Sequence, residues 1–452
     1  MSDEAFEAVV DAVRERVDPD PEERERLQEA VDTLLARVED ALQSIPAEAD
    51  VVQVGSTARG TWIAGDRDID LFVRFPPDLP REDLEEFGLE VGHVVLPDGH
   101  EEYAEHPYVT GAYDGFDVDL VPCYAVESAT EIASAVDRTP FHNRYLEERL
   151  TPELAGDARV LKAFLKGIGV YGSDLRTRGF SGYLTELLVL EYGGFRSLLE
   201  AAADWRPPVR LDPEDHGRAE FDDPLVVIDP TDPERNVAAV LSTANVARFQ
   251  HYARELLADP RTGLFDRPDP DPLSPADVRD HVDRRGTTPI AIRFGTPDIV
   301  DDQLYPQLRK SLTGVVDALD RRGFDALRST TMAEAETAVL FLELAIAERP
   351  AIERHEGPPV HVREHAERFY ETYADGEGYG PFVDADRYVV ERDRGVRTAR
   401  EFVESDALLD VGLGAHVETA LEDEYEVLVG EAVASLADDF GVELARYFEP
   451  RP

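Results

Sequence analysis

The sequence predicts a multidomain α+β protein. Strand patterns and helix patterns alternate over about the first 140 residues, which is typical of a mixed sheet covered by helices. Helical patterns dominate from there to about residue 260, and the rest of the chain mixes short strands with helices. At 452 residues the chain is too long for one hydrophobic core, and its length suggests two to four domains.

Strands and helices can be placed in order along the first part of the chain. A helix is predicted over 4–17 and a longer one over 20–42, where an Asp-Pro pair provides the cap and the first helical residue. The apolar run 51–54 predicts a short strand that ends in a Gly-Ser turn. The later elements are a short helix at 57–63, a strand at 66–75, a helix at 82–95, and a hairpin made by 108–113 and 116–121.

The second part of the chain begins with long helical patterns. The segment 266–275, rich in Asp and Pro, is typical of a linker or loop. No internal repeat of fixed period is visible. Helices are predicted at 152–168, 182–203, 236–258, 301–322, 332–348, 361–373 and 432–440, and a strand at 290–294.

Charge is the most unusual feature of the composition. The chain has 96 Asp and Glu residues against 46 Lys and Arg, so its formal net charge is −50. Acid richness with very little lysine resembles proteins from salt-loving organisms. Molar salt shortens the Debye length to about 3 Å and screens the repulsion between surface charges. The acidity of the whole chain therefore does not exclude a nucleic-acid partner, and local arginines must be judged one by one.

Other features of the composition narrow the class of protein. No run of about 18 residues is apolar enough for a transmembrane helix, and the acidic, amphipathic start is unlike a secretory signal. We therefore expect a cytoplasmic protein with no membrane partner. The single cysteine, Cys123, can form neither an internal disulfide nor a thiolate zinc site, and we expect it in a core.

Three carboxylates and one turn form a candidate catalytic pattern. Asp68 and Asp70 lie two residues apart on a predicted strand, so they point the same way and can hold one hard cation between them. Asp119, on a later strand, would complete a site for two Mg²⁺ ions, which stabilise the attacking and leaving oxygens of an in-line displacement. The Gly55-Ser56 turn offers backbone N–H groups and a hydroxyl that suit a triphosphate.

Chance alone produces the acid-x-acid spacing roughly twenty times in so acidic a chain, so the spacing means little by itself. The context favours a functional interpretation, because the strand has apolar neighbours, follows the Gly-Ser turn and precedes a second acidic strand. Asp117 shares a strand face with Asp119 and is the weaker candidate. Asp119 is followed by Leu-Val-Pro and is expected to lie deeper.

Several segments resemble known families. The segment VGSTARGTWIAGDRDIDLFVRF resembles the nucleotidyltransferase signature of the polymerase β superfamily. The later segments resemble the archaeal-type (class I) CCA-adding enzymes, which are tRNA nucleotidyltransferases, from about residue 50 to 250 and more weakly to nearly the end. These segments are FDVDLVPCY, DRTPFHNRYL, VLKAFLKGIGVYG, RGFSGYLTELLVLEYGGF and IDPTDPERNVAAVLS, followed by IAIRFGTPDIV and DRGVRTAREFV.

The resemblance implies an architecture and a reaction. It implies a nucleotidyltransferase head over 1–145 that contains the catalytic palm, a helical neck over 146–265 that recognises the base, and an α/β body and tail over 266–452 that bind tRNA. The reaction is the template-independent addition of C, C and A to the tRNA 3′ end from CTP and ATP, with two Mg²⁺ ions and release of pyrophosphate. The implied partners are the acceptor stem and elbow of tRNA, and a second copy of the chain in a homodimer.

The resemblance also assigns individual residues. Many relatives have Glu where this chain has Asp68, and Lys where it has Arg59, and either substitution keeps the charge. The implied metal ligands are Asp68, Asp70 and Asp119, and the implied nucleotide-binding residues are Gly55, Ser56, Arg59, His142, Lys162, Tyr171 and Arg235.

The residues themselves support these roles only in part. Lys162 and Lys166 are two of three lysines in the chain, which suggests a needed point charge, although their spacing also suits a solvated helix face. Tyr171 taken alone favours a packing role, and His142 taken alone is a residue near a helix start. Arg235 is expected to open a helix, where a cation is unfavourable to the dipole, and this hints at an anionic or base ligand.

The clearest basic cluster lies near residue 400. It is either a salt-bridged helix face or a surface that grips tRNA phosphates. Its members are Arg392, Arg394, Arg397 and Arg400.

Two other functions remain open at this point. One is a poly(A) polymerase or oligoadenylate synthetase with the same catalytic head, against which the later segments argue. The other is a non-catalytic RNA-binding relative, against which the intact carboxylates Asp68, Asp70 and Asp119 argue.

Overall fold

The computed structural model describes residues 2–103, 105–217, 219–266 and 268–452. One structural unit ends at Pro268 and also includes the terminal Pro452, and a second unit runs from Asp269 to Arg451. Both units contain helices and strands, so the predicted α+β class is confirmed. No helix in these described segments is long and apolar enough to cross a lipid bilayer.

The first unit begins with two helices and a five-stranded sheet. The strand order is β1-β2-β5-β4-β3, and β2 and β5 are the parallel pair among otherwise antiparallel neighbours. The elements are α1 (Ser2–Val17), α2 (Pro21–Leu42), β1 (Asp50–Val54), α3 (Gly55–Arg59), β2 (Asp68–Phe75), α4 (Arg81–Val95), β3 (His100–Tyr103), β4 (Pro107–Tyr113) and β5 (Phe116–Tyr124).

The core of this sheet follows from the sequence pattern. Ile69, Leu71 and Val73 alternate along β2 and are fully buried beneath α2 and α4, as the period of two requires. Helix α2 starts where predicted, because the Asp20 carboxylate accepts a hydrogen bond of 2.8 Å from the Glu23 N–H. The apolar side of β2 is thus fixed against the helices, and its carboxylates emerge on the other side.

The remainder of the first unit is mainly helical, with a small three-stranded sheet in the order β6-β7-β8. Helices α6 to α9 share one hydrophobic core. The elements are α5 (Thr139–Glu147), α6 (Pro152–Gly167), α7 (Gly182–Tyr192), α8 (Phe195–Ala203), β6 (Val209–Leu211), β7 (Leu225–Asp229), β8 (Asp232–Asn236) and α9 (Thr243–Ala258).

Two predicted helices in this region were too long. The pattern over 182–203 is broken into α7 and α8 at Gly193-Gly194, whose φ angles of 74° and 137° are incompatible with a continuous helix. The helix predicted from residue 236 begins only at Thr243, because Ser242 caps it by accepting a hydrogen bond from the Asn245 N–H.

Helix α1 packs against the helices that follow the first sheet. Its Phe6, Val10 and Val13 side chains are buried in the core of α6 to α9. The Arg159 guanidinium of α6 also lies 2.6 Å from the carboxylate of Asp18, just after α1. The apolar stripe of an amphipathic helix needs a complementary apolar surface, and α6 provides it here.

The second unit contains two antiparallel sheets, of strand order β10-β11-β9-β15 and β12-β14-β13. Its main core lies between the four-stranded sheet and helices α11 and α14. The elements are α10 (Pro275–Arg285), β9 (Thr288–Gly295), α11 (Asp301–Arg321), β10 (Ala326–Ala333), β11 (Thr337–Leu344), β12 (Ile352–Pro359), α12 (Arg363–Tyr373), β13 (Tyr379–Asp384), β14 (Arg387–Asp393), α13 (Ala399–Val403), α14 (Ala415–Asp423), β15 (Tyr425–Val429) and α15 (Ala437–Phe448).

The helix predicted over 332–348 is wrong, because this segment contributes to the β10–β11 hairpin. Its residues are rich in Ala, Glu and Leu, which favour helix. Strand β11 is buried on both faces from Ala338 to Leu344, so it shows none of the alternation that marks a half-exposed strand. The helix predicted over 432–440 overlaps a 3₁₀ segment and the start of α15.

The net charge leads to a prediction about stability. We expect the melting temperature to rise by at least several degrees between about 0.2 M and 3 M KCl, because salt screens the self-repulsion of a chain with a net charge of −50. Thermal melts followed by circular dichroism would measure it. A nonionic osmolyte at matched osmolality is the control, and an equal rise in that control would contradict a screening origin.

Candidate active site

The parallel pairing of β2 and β5 brings the three predicted carboxylates together. Asp70 lies opposite Asp119 in the register, and Asp68 lies opposite Asp117. Asp117 is exposed whereas Asp119 is half-buried, so the expected difference in depth is confirmed. All four line a cavity of about 410 Å³. This cavity is also lined by Ser56, Arg59, Thr61, Lys162, Tyr171 and Glu186.

Asp70 has the most perturbed electrostatics of the group. Burial, reinforced by the negative charges of Asp119 and Asp68, raises the pKa of its carboxyl to about 6. Burial and nearby carboxylates also raise the pKa of Asp68. The raised pKa values of Asp68 and Asp70 suit a bound cation, which would relieve the repulsion between these carboxylates.

Gly55 is needed for the close approach of the turn to this carboxylate. Its φ is +81°, and a Cβ at this position would lie 2.0 Å from the Asp70 Oδ2 atom. A side chain there is excluded by both the backbone angle and the contact. The glycine that we assigned to phosphate binding therefore also has a steric role beside the candidate metal ligand.

The raised pKa of Asp70 predicts a gain in stability for Asp70→Asn in metal-free protein. The folded chain binds the carboxyl proton more tightly than the unfolded chain does, so stability falls as the pH rises from about 4 to about 6. Above that window the penalty is about 3 kcal/mol, and the uncharged amide removes it. Unfolding in EDTA at pH 7 and below pH 4 would measure the gain, which should vanish at the lower pH. An equal gain at both values would contradict this origin.

The two lysines of α6 meet an acid that the sequence analysis did not single out. Lys162 Nζ lies 2.5 Å and Lys166 Nζ 3.2 Å from the two carboxylate oxygens of Asp66. Burial works to raise the pKa of Asp66, but the two ammonium groups outweigh it and hold the pKa below its usual value. Both ammonium groups also lie over the Tyr171 ring, at 5.6 and 5.5 Å from its centroid. Tyr171 is thus a wall of the cavity and a platform for both cations.

Arg59 is held by a buried acid that the sequence analysis also missed. Its Nε and Nη2 atoms donate to Glu186 Oε2 at 2.9 and 2.8 Å, and Nη1 donates to the Asn143 side chain at 2.7 Å. The Thr61 hydroxyl donates to the other oxygen of Glu186. Glu186 lies in the middle of the apolar helix α7. A lone charge in such a run is the signal that would have identified it.

His142 and Arg235 meet at Asp229. His142 Nε2 lies 2.7 Å and Arg235 Nη1 2.8 Å from the same oxygen, Oδ2, of this buried carboxylate. Neither residue is among the described ones that line the 410 Å³ cavity. The expectation that Arg235 opens a helix is wrong, because Arg235 lies on strand β8 and forms an ion pair with Asp229. Its position against a helix dipole therefore cannot serve as a hint of function.

The arginine cluster near residue 400 spreads over strand β14, the following loop and helix α13, rather than over one helix face. Each member has an acidic neighbour, and the shortest pairs are Arg392 with Glu353 at 2.9 Å and Arg400 with Glu404 at 2.8 Å. The side chains of Arg392, Arg397 and Arg400 are 43%, 52% and 60% exposed, so their pairs contribute little to stability and leave the cations accessible, whereas the Arg394 side chain is only 15% exposed.

In the described part of the chain, no three Asp, Glu, His or Cys side chains converge closely enough to hold a metal ion in their present rotamers. Cys123 is buried, as expected from its sequence context.

Comparisons with known proteins agree with this arrangement. Residues 35–142 match the profile of a nucleotidyltransferase domain, 156–266 that of the second domain of tRNA nucleotidyltransferases, and 285–430 that of the C-terminal domain of CCA-adding enzymes. Together these matches span most of both structural units.

The chain is also similar over its whole length to curated proteins that are named CCA-adding enzyme. The protein of Haloarcula marismortui is 65% identical, with 100% of both chains covered. That of Halobacterium salinarum is 62% identical with the same coverage, and that of Methanoregula boonei is 44% identical over 96% of this chain and 93% of its own.

Among solved structures, a cytoplasmic RNA terminal U-transferase covers 59% of this chain at 16% identity with a TM-score of 0.45. The Cid1 poly(U) polymerase covers 57% at 14% identity with a TM-score of 0.44. Likeness of this size carries no argument about function.

Proposed function

This chain belongs to the family of CCA-adding enzymes, and on that premise we propose that it adds C, C and A to the 3′ end of tRNA from CTP and ATP. The observation that carries the proposed chemistry is the cavity in which Asp68, Asp70 and Asp119 lie together with Lys162. Nucleotidyl transfer requires carboxylates that can bind a hard metal ion and a positively charged group that can bind the phosphates, and this cavity contains both.

The donor set fits Mg²⁺. All three candidate ligands, Asp68, Asp70 and Asp119, offer carboxylate oxygens, which this ion prefers. Burial and the charges of Asp119 and Asp68 raise the pKa of Asp70, and a bound cation would offset both effects. We propose that these residues hold two Mg²⁺ ions. When bound, such ions make the acceptor hydroxyl more acidic and neutralise the leaving pyrophosphate.

The reaction forms one bond and breaks one. The tRNA 3′-hydroxyl gives its proton to a solvent water and attacks the α-phosphorus of CTP or ATP, and the bond from that phosphorus to the bridging oxygen breaks to release pyrophosphate. Ser56 offers its hydroxyl to the phosphates, and Arg59 offers the N–H donors that its hydrogen bonds to Glu186 and Asn143 leave over. Lys162 exchanges part of its contact with Asp66 for the departing phosphates. These residues act by positioning and by preorganised charge.

We assign base recognition to Arg235, with His142 and Tyr171 completing the nucleotide site. The proposed division remains a head over 1–145, a neck over 146–265 and a tRNA-binding body and tail over 266–452. Contact with the tRNA acceptor stem and elbow, through the cluster Arg392, Arg394, Arg397 and Arg400, and homodimer formation belong to the same proposal.

The test is to follow nucleotide incorporation into tRNA at single-nucleotide resolution. The protein is incubated in high KCl and Mg²⁺ with tRNA that lacks CCA, with labelled CTP and ATP separately and together. Three additions that end in A support the proposal. A long A tract on any RNA would favour a poly(A) polymerase, and no incorporation at any salt concentration would favour a non-catalytic RNA-binding protein.

A further inference from the structure

Asp229 joins two residues of the proposed nucleotide site that are far apart in sequence. It is the last residue of β7, and its side chain is completely buried. Its Oδ2 atom accepts from Arg235 on the neighbouring strand β8 and lies 2.7 Å from His142 on helix α5. The shared oxygen fixes the distance between an imidazole and a guanidinium that belong to different elements.

The carboxylate of Asp229 is itself fixed by its own turn. Its other oxygen, Oδ1, accepts hydrogen bonds from the Thr231 N–H at 2.9 Å and the Thr231 hydroxyl at 2.8 Å. These two bonds hold the carboxylate plane without help from His142 or Arg235. Asp229 is therefore an anchor to which the other two residues attach.

The hydrogen bonds around the anchor keep it ionised. Burial works to raise the pKa of Asp229, but the hydrogen bonds from His142, Thr231 and Arg235 hold the pKa well below its usual range. Burial also lowers the pKa of His142, so we assign its effect on Asp229 to the hydrogen bond rather than to a positive charge. The His142 ring is also fixed from its face, because it stacks on the Tyr183 ring with centroids 3.8 Å apart. The His142 ring is thus held at its edge by Asp229 and at its face by Tyr183.

Arg235 keeps donors available after this contact. The Arg235 side chain is 37% exposed. Among the residues that the structure describes, it donates to Asp229 through Nη1. An arginine has five N–H donors and no acceptor. If one is aimed at the ring nitrogen of a base edge, cytosine and adenine present an acceptor there, whereas uracil and guanine present an N–H. The direction of the guanidinium then separates C and A from U and G.

We propose that Asp229 is the positioning residue that sets the direction of Arg235, and thereby determines that CTP and ATP are accepted and UTP and GTP rejected. This inference rests on the proposed function, in which Arg235 contacts the base. A site that presents a correctly placed donor discriminates strongly against a base that cannot accept it, and that discrimination is lost when the donor is free to turn.

The variant that tests the proposal is Asp229→Asn, which keeps the size of the side chain and removes its charge. The ratio of kcat/KM for CTP to that for UTP is expected to fall by about tenfold or more. The matched control is Asp232→Asn, which removes the acid that pairs with Arg138 at 3.1 Å in the same hairpin. This control should keep the ratio within about twofold of wild type.

A purely structural role for Asp229 would lower kcat/KM for CTP and UTP in the same proportion, and an unchanged ratio would overturn the proposal. In an Arg235→Ala background, Asp229→Asn is expected to change the ratio no further. If Asp229→Asn fails to fold, Thr231→Val loosens the same carboxylate by removing one of its bonds, and again the ratio must fall. Wild-type protein that adds no nucleotide would refute the proposed function, whereas normal CCA addition with an unchanged ratio in the variants would refute the positioning role alone.

Discussion

Asp70→Asn is expected to lower nucleotide addition to tRNA by about 10³-fold or more. The residue is half-buried, like Asp119 and unlike the exposed Asp68, and its charge is opposed by Asp119 and Asp68. An amide keeps the shape and removes the charge that would bind a cation. The loss is measured as the single-turnover rate of CTP incorporation into tRNA that lacks the 3′-terminal CCA, at saturating Mg²⁺.

The matched control is Asp117→Asn. Asp117 lines the same cavity and lies opposite Asp68 in the register, but it is exposed. We expect less than about a fivefold effect on the rate, because a solvated charge contributes little to a fixed site. Equal losses in the two variants would contradict the choice of ligands. A measured gain in stability of metal-free Asp70→Asn would exclude unfolding as the cause of its inactivity.

The head and its carboxylates were predictable because the determinants are local. Alternation along β2 placed Ile69, Leu71 and Val73 inside and the acids on the other side, and the structure confirms it. The burial of Asp119 relative to Asp117 was also predictable, since an apolar segment follows Asp119. The profile match to the C-terminal domain agrees with the resemblance stated from sequence.

The site residues that sequence reasoning missed have roles that depend on partners far away in the sequence. Asp66, Glu186 and Asp229 look like ordinary members of a very acidic chain, and their roles appear only when Lys162, Arg59 and His142 are brought to them from 87 or more positions away. Strand β11 was mistaken for a helix for a related reason. A strand covered on both faces has no periodicity, so only its pairing with β9 and β10 distinguishes it.

Glu186→Ala is expected to destabilise the first unit by about 3–5 kcal/mol, since it leaves the Arg59 guanidinium buried without its acid. Both side chains are at most 8% exposed, and the pair has two N–H···O contacts of 2.9 Å or less. The Thr61 hydroxyl keeps only its 3.5 Å contact with the Ser56 carbonyl oxygen. Denaturant unfolding in high KCl measures the effect, with Glu191→Ala, a more exposed acid on the same helix, as the control.

The double variant Arg59→Met, Glu186→Leu separates stability from activity at this pair. Apolar residues of similar volume can replace a buried ion pair at little cost, so we expect the double variant to recover most of the stability that Glu186→Ala loses. If the charge of Arg59 serves the phosphates, nucleotide addition stays about 10²-fold below wild type in the refolded double variant. Recovery of activity together with stability would show that Arg59 serves only to neutralise Glu186. Phosphate binding would then be assigned to Ser56 and Lys162. A double variant as unstable as Glu186→Ala would contradict the energetic argument itself.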